Sequence, residues 1–523
     1  MEDEPSLAFW EPVKKETDDK HYKDLNVSVS VEGSAGKEEE EAEKEEEKKV
    51  EPTTIIPSFL AFIIFVFISK SLQLGEQTNL PPGSLGLPLI GQTIEFLRAH
   101  KSNTGKDWIE EKVKKYGPVF KTSLMGCPTV VLTGQAGNRF VFQSEDSTIT
   151  NKQPISVSRI VGKKNILELS GEDHKRMRGT IMQFLKPEAL QKLVGRMDSV
   201  IQHHFLDFWE GKEFITVLPL MKTITFQIAC DLLFSLTDPK ERQILGTDFT
   251  EAIKGVWSFP LDLPGTTFRS GLNARSRICK RLSSLLQVRR EELQQGKSSH
   301  DQDLMSTMLT MRDENGRALA EEEIIDNIIA VMTAGHESTC TLLVHLVRLL
   351  ALNPNIYQNI LQEQRHILVS KNPTEHLQWE DVQKMKYTWK VAQETLRLIS
   401  PVFGAFRKVM KDIEFGGYAI PKGWQLFWAA TSTHMDAEIF REPDKFDPSH
   451  FNTRLPPYTY IPFGGGHRIC PGYDFTKMET VIYLHHLVLN YKWSLMDPKE
   501  KITCEPMPLP ALGLPIKLEA KHE

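Results

Sequence analysis

Long stretches of the chain repeat apolar residues every three to four positions, which is the spacing of one face of an α-helix. This pattern predicts helices over residues 185–210, 275–295, 320–351 and 354–370, and Pro187 and Pro354 stand near helix starts, where proline is tolerated. Three shorter segments, PVFKTSLMG, PTVVLTG and IEFGGYAIPKG, carry β-branched or alternating residues closed by Gly or Pro. The pattern therefore predicts a mainly α fold with small antiparallel β-sheets (α+β).

The first part of the chain differs from the rest in composition. Residues 1–51 are polar and include the run KEEEEAEKEEEKK, which cannot bury enough apolar surface to offset the entropy of ordering, so we expect a disordered charged extension. Residues 52–78 contain the uncharged run IIPSFLAFIIFVFIS, which predicts a single membrane-spanning helix. An uncleaved anchor is favoured over a cleaved signal peptide, because the upstream flank is acidic and no small-x-small site follows.

A linker rich in proline and glycine, LPPGSLGLPLIGQ, follows the predicted anchor and forbids a helix there. No comparable shift of composition occurs later, so residues 79–523 are interpreted as one large domain. The hydrophobic share of 40% and the charged share of 25% are ordinary for a globular protein, and the net charge of -6 offers no basic field. Nucleic acid is therefore not expected among the partners.

One of the six cysteines has unusual surroundings. The others lie far apart, with no CxxC pair and no Cys/His cluster at zinc spacing, which excludes a disulfide framework and a zinc site. Cys470 stands in YIPFGGGHRICPGYDF, where three consecutive glycines let the backbone approach something large and flat. Pro471 and Gly472 predict a helix start, whose N–H groups would favour the thiolate, and Arg468 is placed to pair with a carboxylate. The alternative is a glycine loop that only turns the chain.

The residues of this loop carry a resemblance to a known family. Phe463, Gly466, Arg468, Cys470 and Gly472 match the pattern FxxGxRxCxG, and the chain resembles the cytochrome P450 family from about residue 80 to its end. The resemblance implies that Cys470 gives the axial thiolate to the iron of haem b, that Phe463 packs against the porphyrin, and that Arg468 pairs with a propionate. An axial thiolate favours O–O cleavage, so a haem-thiolate monooxygenase is implied.

The segment AVMTAGHESTCTLL, residues 330–343, places a glycine, an acid and hydroxyl residues inside an apolar helical stretch, which conflicts with helix propensity. In the P450 family, the matching helix opens beside the residue corresponding to Gly335 and forms a groove for oxygen. The resemblance implies that Glu337 and Ser338 are the acid and the alcohol that relay protons. The family usually has threonine at position 338, and serine lacks the methyl group that restricts χ1, so we expect a looser relay. The alternative is a polar helix face.

Glu394 and Arg397 lie three residues apart in ETLRL, on one face of a predicted helix. Their position before the cysteine loop resembles the ExxR motif of the family, which implies a structural ion pair behind the haem. The third member of that motif is an arginine in the family, whereas FDPSHF puts His450 there. Histidine has fewer hydrogen-bond donors, so we expect either a weaker triad or a different set of contacts.

Two further matches concern the haem propionates. The segment GEDHKRMRG resembles the WxxxR helix of the family, with His174 and Arg178 at its two positions. Arg407 in SPVFGAFRK resembles the arginine that also reaches a propionate, which would turn residues 402–406 toward the substrate. The alternative for each arginine is an ordinary surface position.

Several phrases, among them LPPGSLGLPLIGQ and PMPLPALGLPIKL, are similar to plant monooxygenases that oxidise triterpenoids, steroids and related isoprenoids. This resemblance implies that O2 is used to hydroxylate a hydrophobic isoprenoid. A triterpenoid is the favoured substrate class, and a sterol, a brassinosteroid or a taxane-type diterpenoid are the alternatives. It implies NADPH-derived electrons from a flavoprotein reductase and a place in the endoplasmic reticulum membrane, with the catalytic domain on the cytosolic side. Two alternatives stay open: a reductase-independent haem-thiolate rearrangement enzyme, against which the acid–alcohol pair argues, and a non-enzymatic haem sensor or carrier.

Overall fold

The computed structural model describes residues 79–87, 90–369, 371 and 375–521, so the predicted extension and the predicted anchor lie outside the described residues. The α-helices of the described part are α1 Thr93–Lys101, α2 Gly105–Tyr116, α3 Gly134–Gln143, α4 Ile155–Val161, α5 Gly171–Leu185, α6 Pro187–Leu190, α7 Val194–Phe208, α8 Val217–Phe234, α9 Pro239–Val256, α10 Thr267–Gln294, α11 Leu304–Thr310, α12 Glu321–Leu352, α13 Pro354–Val369, α14 Trp379–Lys384, α15 Lys386–Leu398, α16 Thr431–His434 and α17 Tyr473–Asn490. Short 3-10 turns occupy Gln191–Leu193, Pro448–Phe451 and Gly466–Arg468.

The strands are β1 Val119–Leu124, β2 Cys127–Leu132, β3 Ile149–Asn151, β4 Phe214–Thr216, β5 Gly404–Val409, β6 Ile413–Phe415, β7 Tyr418–Ile420, β8 Gln425–Ala429, β9 Tyr491–Leu495, β10 Ile502–Cys504, β11 Pro508–Pro510 and β12 Pro515–Ala520. They form a five-stranded sheet in the order β1-β2-β8-β5-β3, a three-stranded sheet β4-β12-β9 and the pairs β6-β7 and β10-β11. The prediction of a mainly helical protein with small sheets is confirmed. However, β2 and β8 run parallel, because the many helices between them supply the long crossover that parallel pairing needs.

The predicted helices agree with the structure except at one start. The patterns over 275–295, 320–351 and 354–370 correspond to α10, α12 and α13. The prediction of one helix over 185–210 was wrong: Lys186 is extended, with φ -70° and ψ 153°, because a following proline disfavours the helical conformation. The chain then restarts as α6, a 3-10 turn and α7.

The core of the protein surrounds α12, which packs against α8, α15 and α17. Within the described residues, α8 is long and apolar enough to cross a membrane, but 72% of it is buried inside the protein, as expected of a core helix. A second apolar cluster joins α1 and α2 to the five-stranded sheet through Phe96, Trp108, Phe120 and Phe427. Helix α12 lies inside the helical core, and the turn Gly466–Arg468 of the cysteine loop contacts α3.

Candidate active site

The segment from Phe463 to Cys470 forms a closed loop in front of α17. The backbone N–H of Cys470 donates a hydrogen bond to the carbonyl oxygen of Phe463 at 2.9 Å. Gly466 has a φ of 65°, and a Cβ at this position would lie 1.8 Å from the carbonyl oxygen of Phe142. Only glycine therefore fits the close contact between the loop and α3.

The Cys470 side chain lies where the loop enters a helix. Helix α17 begins at Tyr473 with Gly472 as its N-cap, so the predicted helix start is confirmed. The pKa of the Cys470 thiol is raised above its ordinary value, because burial outweighs the other effects. A hydrogen bond from the backbone N–H of Gly472 and the charge of Arg178 offset part of this rise. The side chain is nevertheless accessible to solvent. The thiol is therefore open to a ligand from outside the chain.

Arg468 has a protein carboxylate as its partner. Its Nε donates to Oδ1 of Asp146 at 2.9 Å and its Nη2 to Oδ2 at 2.6 Å, while Nη2 also donates to the carbonyl oxygen of Leu169 at 2.9 Å. Burial tends to raise the pKa of Asp146, but hydrogen bonds from Arg468 and from the backbone N–H of Gly171 lower it to about 2. The remaining nitrogen, Nη1 of Arg468, is buried and has no partner among the described residues.

Three other basic side chains, two of them charged at pH 7, lie close to this pair. Arg178 donates to the carbonyl oxygen of Ile469 at 2.7 Å. His174 is buried one turn earlier on α5, and burial and the charge of Arg468 lower its pKa to about 4, so that it is neutral at pH 7. Burial and the same charge lower the pKa of Arg407 to about 10, at which Arg407 is still a cation. The structure therefore gathers the predicted residues of the cysteine loop, α5 and β5 into one electrostatic cluster.

Helix α12 runs without interruption past Gly335, so the opening that the resemblance implies is not seen. The hydroxyl of Ser338 donates to the carbonyl oxygen of Ala334 at 2.6 Å, which gives this carbonyl an additional donor without breaking the helix. Ala334 and Gly335 are exposed although the flanking turns are mostly buried, and a Cβ at Gly335 would meet no atom within 4 Å. This part of the helix faces open space.

Glu337 lies on the same turn and is held by α8. Its Oε1 is 3.4 Å from Nζ of Lys222 and 3.6 Å from Nε2 of His336. The Nδ1 atom of His336 is 2.7 Å from the hydroxyl oxygen of Thr225. Burial lowers the pKa of His336 to about 4, so the ring is neutral at pH 7. The carboxylate of Glu337 is thus buried between two core helices, where it pairs with the ammonium of Lys222.

The predicted ion pair of the ETLRL segment is confirmed, and both side chains are fully buried. Nε and Nη2 of Arg397 each lie 2.7 Å from a carboxylate oxygen of Glu394. Nδ1 of His450 is 3.1 Å from Oε1 of Glu394, and its Nε2 is 2.7 Å from the carbonyl oxygen of Arg441. Imidazole therefore takes the place of the expected guanidinium, and the triad is satisfied by a different set of contacts.

Comparison with known proteins decides the family. The model of the family Cytochrome P450 matches residues 81–520. The chain belongs to the cytochrome P450 family. Taxane 10-beta-hydroxylase of Taxus cuspidata is 44% identical over 470 residues, which cover 89% of this chain and 94% of that protein. Beta-amyrin 28-monooxygenase of Vitis vinifera is 42% identical over 472 residues, which cover 88% and 98%. The structure of retinoic acid-bound cyanobacterial CYP120A1 superposes with a TM-score of 0.77 at 31% identity, covering 85% of this chain and 100% of that chain.

As a cytochrome P450, the protein is an oxidoreductase of the monooxygenase type, which carries a haem with a thiolate ligand and uses O2 and electrons supplied by a reductase. The donor set of this P450 fits that cofactor. Asp146 is the one acidic side chain in the described residues that contacts the cluster of Arg178, Arg407 and Arg468, which leaves two positive charges for the two haem propionates. The buried, unpartnered Nη1 of Arg468 and the accessible thiol of Cys470 fit the same group.

Some residues of this P450 site could not be found by pattern. Lys222 is one of the two charged residues, with Asp231, of the otherwise apolar helix α8, a signal that points to a buried partner. Asp146 lies in the polar segment SEDST, which has no signal at all. Nε1 of Trp428 is buried without a partner in the described part of the chain, and the ring centre lies 6.0 Å from the guanidinium carbon of Arg407.

The predicted site residues fall into two groups. The basic residues His174, Arg178, Arg407 and Arg468 interact electrostatically around the cysteine loop, whereas Gly335, Glu337 and Ser338 lie on α12. In residues 90–369 and 375–521, no hydrogen bond or ion pair joins Glu337 or Ser338 to the cysteine loop.

Proposed function

We propose that this P450 is a membrane-anchored monooxygenase that inserts one oxygen atom of O2 into a hydrophobic polycyclic isoprenoid, with a triterpenoid or a taxane-type diterpenoid as the substrate class. The observation that carries the proposal is the accessible thiol of Cys470 beside a cluster of arginines with two unmatched charges. The substrate class is supported by the similarity to taxane 10-beta-hydroxylase and to beta-amyrin 28-monooxygenase.

In this proposal Cys470 is the ligand of the haem iron, and the bound haem supplies the activation of O2 for insertion into a C–H bond. The residues proposed to hold the haem are His174, Arg178, Gly335, Arg407, Phe463, Gly466, Arg468 and Gly472. The guanidinium groups among them orient the cofactor through its propionates, since a planar fork matches a carboxylate. The glycines let the backbone approach a flat ring system.

Proton delivery is proposed for Glu337 and Ser338. Ser338 lies one turn after the exposed residues Ala334 and Gly335, and its hydroxyl oxygen keeps lone pairs that can accept a hydrogen bond from water. Glu337 is buried, and its carboxylate lies 3.4 Å from Nζ of Lys222, so in this proposal Ser338 is the group that meets water and Glu337 is the acid behind it.

Replacing Ser338 with alanine is expected to lower product formation by about 100-fold, because a positioned proton donor typically contributes about 10²–10⁴-fold to the rate. NADPH oxidation should continue, so that the ratio of product to NADPH consumed falls. Ser338→Thr is the matched control and should keep a ratio close to that of the wild type, because threonine retains the hydroxyl and can donate to the same carbonyl. An alanine variant with the wild-type ratio would contradict the role of Ser338.

The membrane is proposed as the route by which the substrate arrives. The loop between α9 and α10 presents Trp257, Phe259, Leu261 and Leu263, whose side chains are 45–82% exposed. These exposed apolar side chains suit contact with lipid, where a polycyclic isoprenoid dissolves. Together with the apolar run of residues 52–78, it supports attachment to the endoplasmic reticulum membrane, where an NADPH-dependent flavoprotein reductase would deliver the electrons.

The test is expression of the full chain with such a reductase in yeast strains that make triterpene, taxane-type diterpene or sterol scaffolds. We expect a product heavier by one oxygen atom in the triterpene or the diterpene strain, detected by mass spectrometry and absent without the reductase. Product from a hydroperoxide without NADPH would favour the rearrangement enzyme. Haem binding with no product in any strain would favour the sensor or carrier.

A further inference from the structure

We propose that Asp146 is a positioning residue of the haem site, which fixes the guanidinium of Arg468 and sets the number of positive charges offered to the cofactor. The proposal deepens the proposed function and rests on the assignment of the cysteine loop as the haem-binding loop. Asp146 itself lies outside that loop, in the segment between α3 and β3.

The contacts of Asp146 join three separate parts of the chain. Its Oδ1 accepts from Nε of Arg468 at 2.9 Å and faces Nε2 of His467 at 3.3 Å. Its Oδ2 accepts from Nη2 of Arg468 at 2.6 Å and from the backbone N–H of Gly171 at 2.9 Å. Gly171 is the first residue of α5, the helix that carries His174 and Arg178. One carboxylate therefore ties α5 to the cysteine loop.

The same contacts determine which edge of Arg468 remains available. Two parallel hydrogen bonds to one carboxylate fix the plane of a guanidinium as well as its position. Nε and Nη2 are used by Asp146, and Nη2 also by Leu169, whereas Nη1 is buried and has no partner among the described residues. Nη1 is thus the nitrogen left for a carboxylate of a bound ligand.

Asp146 also determines the charge of the cluster. Within the described residues it is the one acidic side chain in contact with the group of Arg178, Arg407 and Arg468, and His174 is neutral at pH 7. With Asp146 the cluster has a net charge of two positive units, which matches the two negative charges of the haem propionates. Without Asp146 it offers three, and the surplus charge should favour the more electron-rich ferrous state of the haem.

The test compares Asp146→Asn, Asp146→Glu and the matched control Glu145→Gln in the full-length holoprotein. Glu145 is exposed, and its carboxylate contacts the hydroxyl of Ser147 instead of the cluster. For Asp146→Asn we expect the haem reduction equilibrium to shift toward the ferrous state by about tenfold, which is ~59 mV for one electron. Haem transfer to excess apomyoglobin should become faster. Asp146→Glu keeps the negative charge but moves the carboxylate by one methylene group. The reduction potential should therefore stay close to that of the wild type, while haem transfer becomes faster because Arg468 is no longer held in place.

The outcomes separate this proposal from the proposed function. If Asp146→Asn and Asp146→Glu match Glu145→Gln in both potential and haem transfer and differ only in melting temperature, Asp146 is an ordinary structural contact and the proposal fails. If Asp146→Asn does not fold, unchanged haem transfer in Asp146→Glu has the same meaning. A wild-type protein without the thiolate-type band in its reduced carbon-monoxide complex overturns the proposed function, and this inference with it.

Discussion

Replacing Cys470 with serine is expected to abolish monooxygenation and to remove the thiolate-type band of the reduced carbon-monoxide complex. The thiolate is the proposed source of the electron density that favours O–O cleavage, and a serine hydroxyl does not ionise in the same pH range. The contact of the sulfur with the backbone N–H of Gly472 is suited to a negative charge, which serine would not carry. The measurement is the carbon-monoxide difference spectrum together with product formation.

The control for this variant is Cys127→Ser. Cys127 is partly exposed at the start of β2, and its sulfur lies 3.6 Å from Nζ of Lys152, away from the cysteine loop. Its replacement should leave the spectrum and the activity unchanged. A Cys470→Ser protein that keeps the thiolate-type band would refute the ligand assignment.

The second large effect is expected at the buried ion pair. Replacing Glu394 with glutamine leaves the guanidinium of Arg397 fully buried without a compensating charge, which typically costs about 3–5 kcal/mol. Oε1 of Glu394 also accepts a hydrogen bond from the backbone N–H of Asp447 at 3.0 Å and lies 3.1 Å from Nδ1 of His450. The loss is a large part of the ~5–15 kcal/mol that stabilises a typical domain, so chemical denaturation should show a much lower midpoint.

An exposed pair of the same spacing supplies the control. Glu442 and Lys445 are also three residues apart, but their side chains are 61% and 62% exposed. Glu442→Gln should lower the free energy of unfolding by at most about 0.5 kcal/mol, because exposed pairs are screened by water. Equal effects of the two glutamine variants would show that Glu394 does not hold a buried charge in place.

Local patterns predicted the local structure well. The apolar period of 320–351 and the proline at 354 indicated α12 and α13, because helix periodicity and the missing N–H of proline act within a few residues. The three glycines of the loop predict an approach to something large and flat, which stays a prediction; the close approach seen at Gly466 is to the carbonyl oxygen of Phe142 on α3. The helix predicted over 185–210 is too long, because Lys186 precedes Pro187 and is extended.

Contacts between distant parts of the chain could not be predicted. Asp146 and Arg468 are 322 positions apart, and nothing in SEDST indicates which cation it meets. The parallel pairing of β2 with β8 likewise depends on the helices between them. His450 illustrates the same limit, since the sequence showed a departure from the family but only its ring geometry showed how Glu394 is satisfied. Such contacts depend on the three-dimensional arrangement of the whole chain.

The most direct test of the central claim follows the oxygen atom. The purified full chain with the flavoprotein reductase, NADPH and the triterpene or diterpene scaffold would be incubated under dioxygen enriched in heavy oxygen. We expect the product to contain one heavy oxygen atom and its formation to require NADPH. A product that forms without NADPH, or whose new oxygen comes from unlabelled water, would contradict the account.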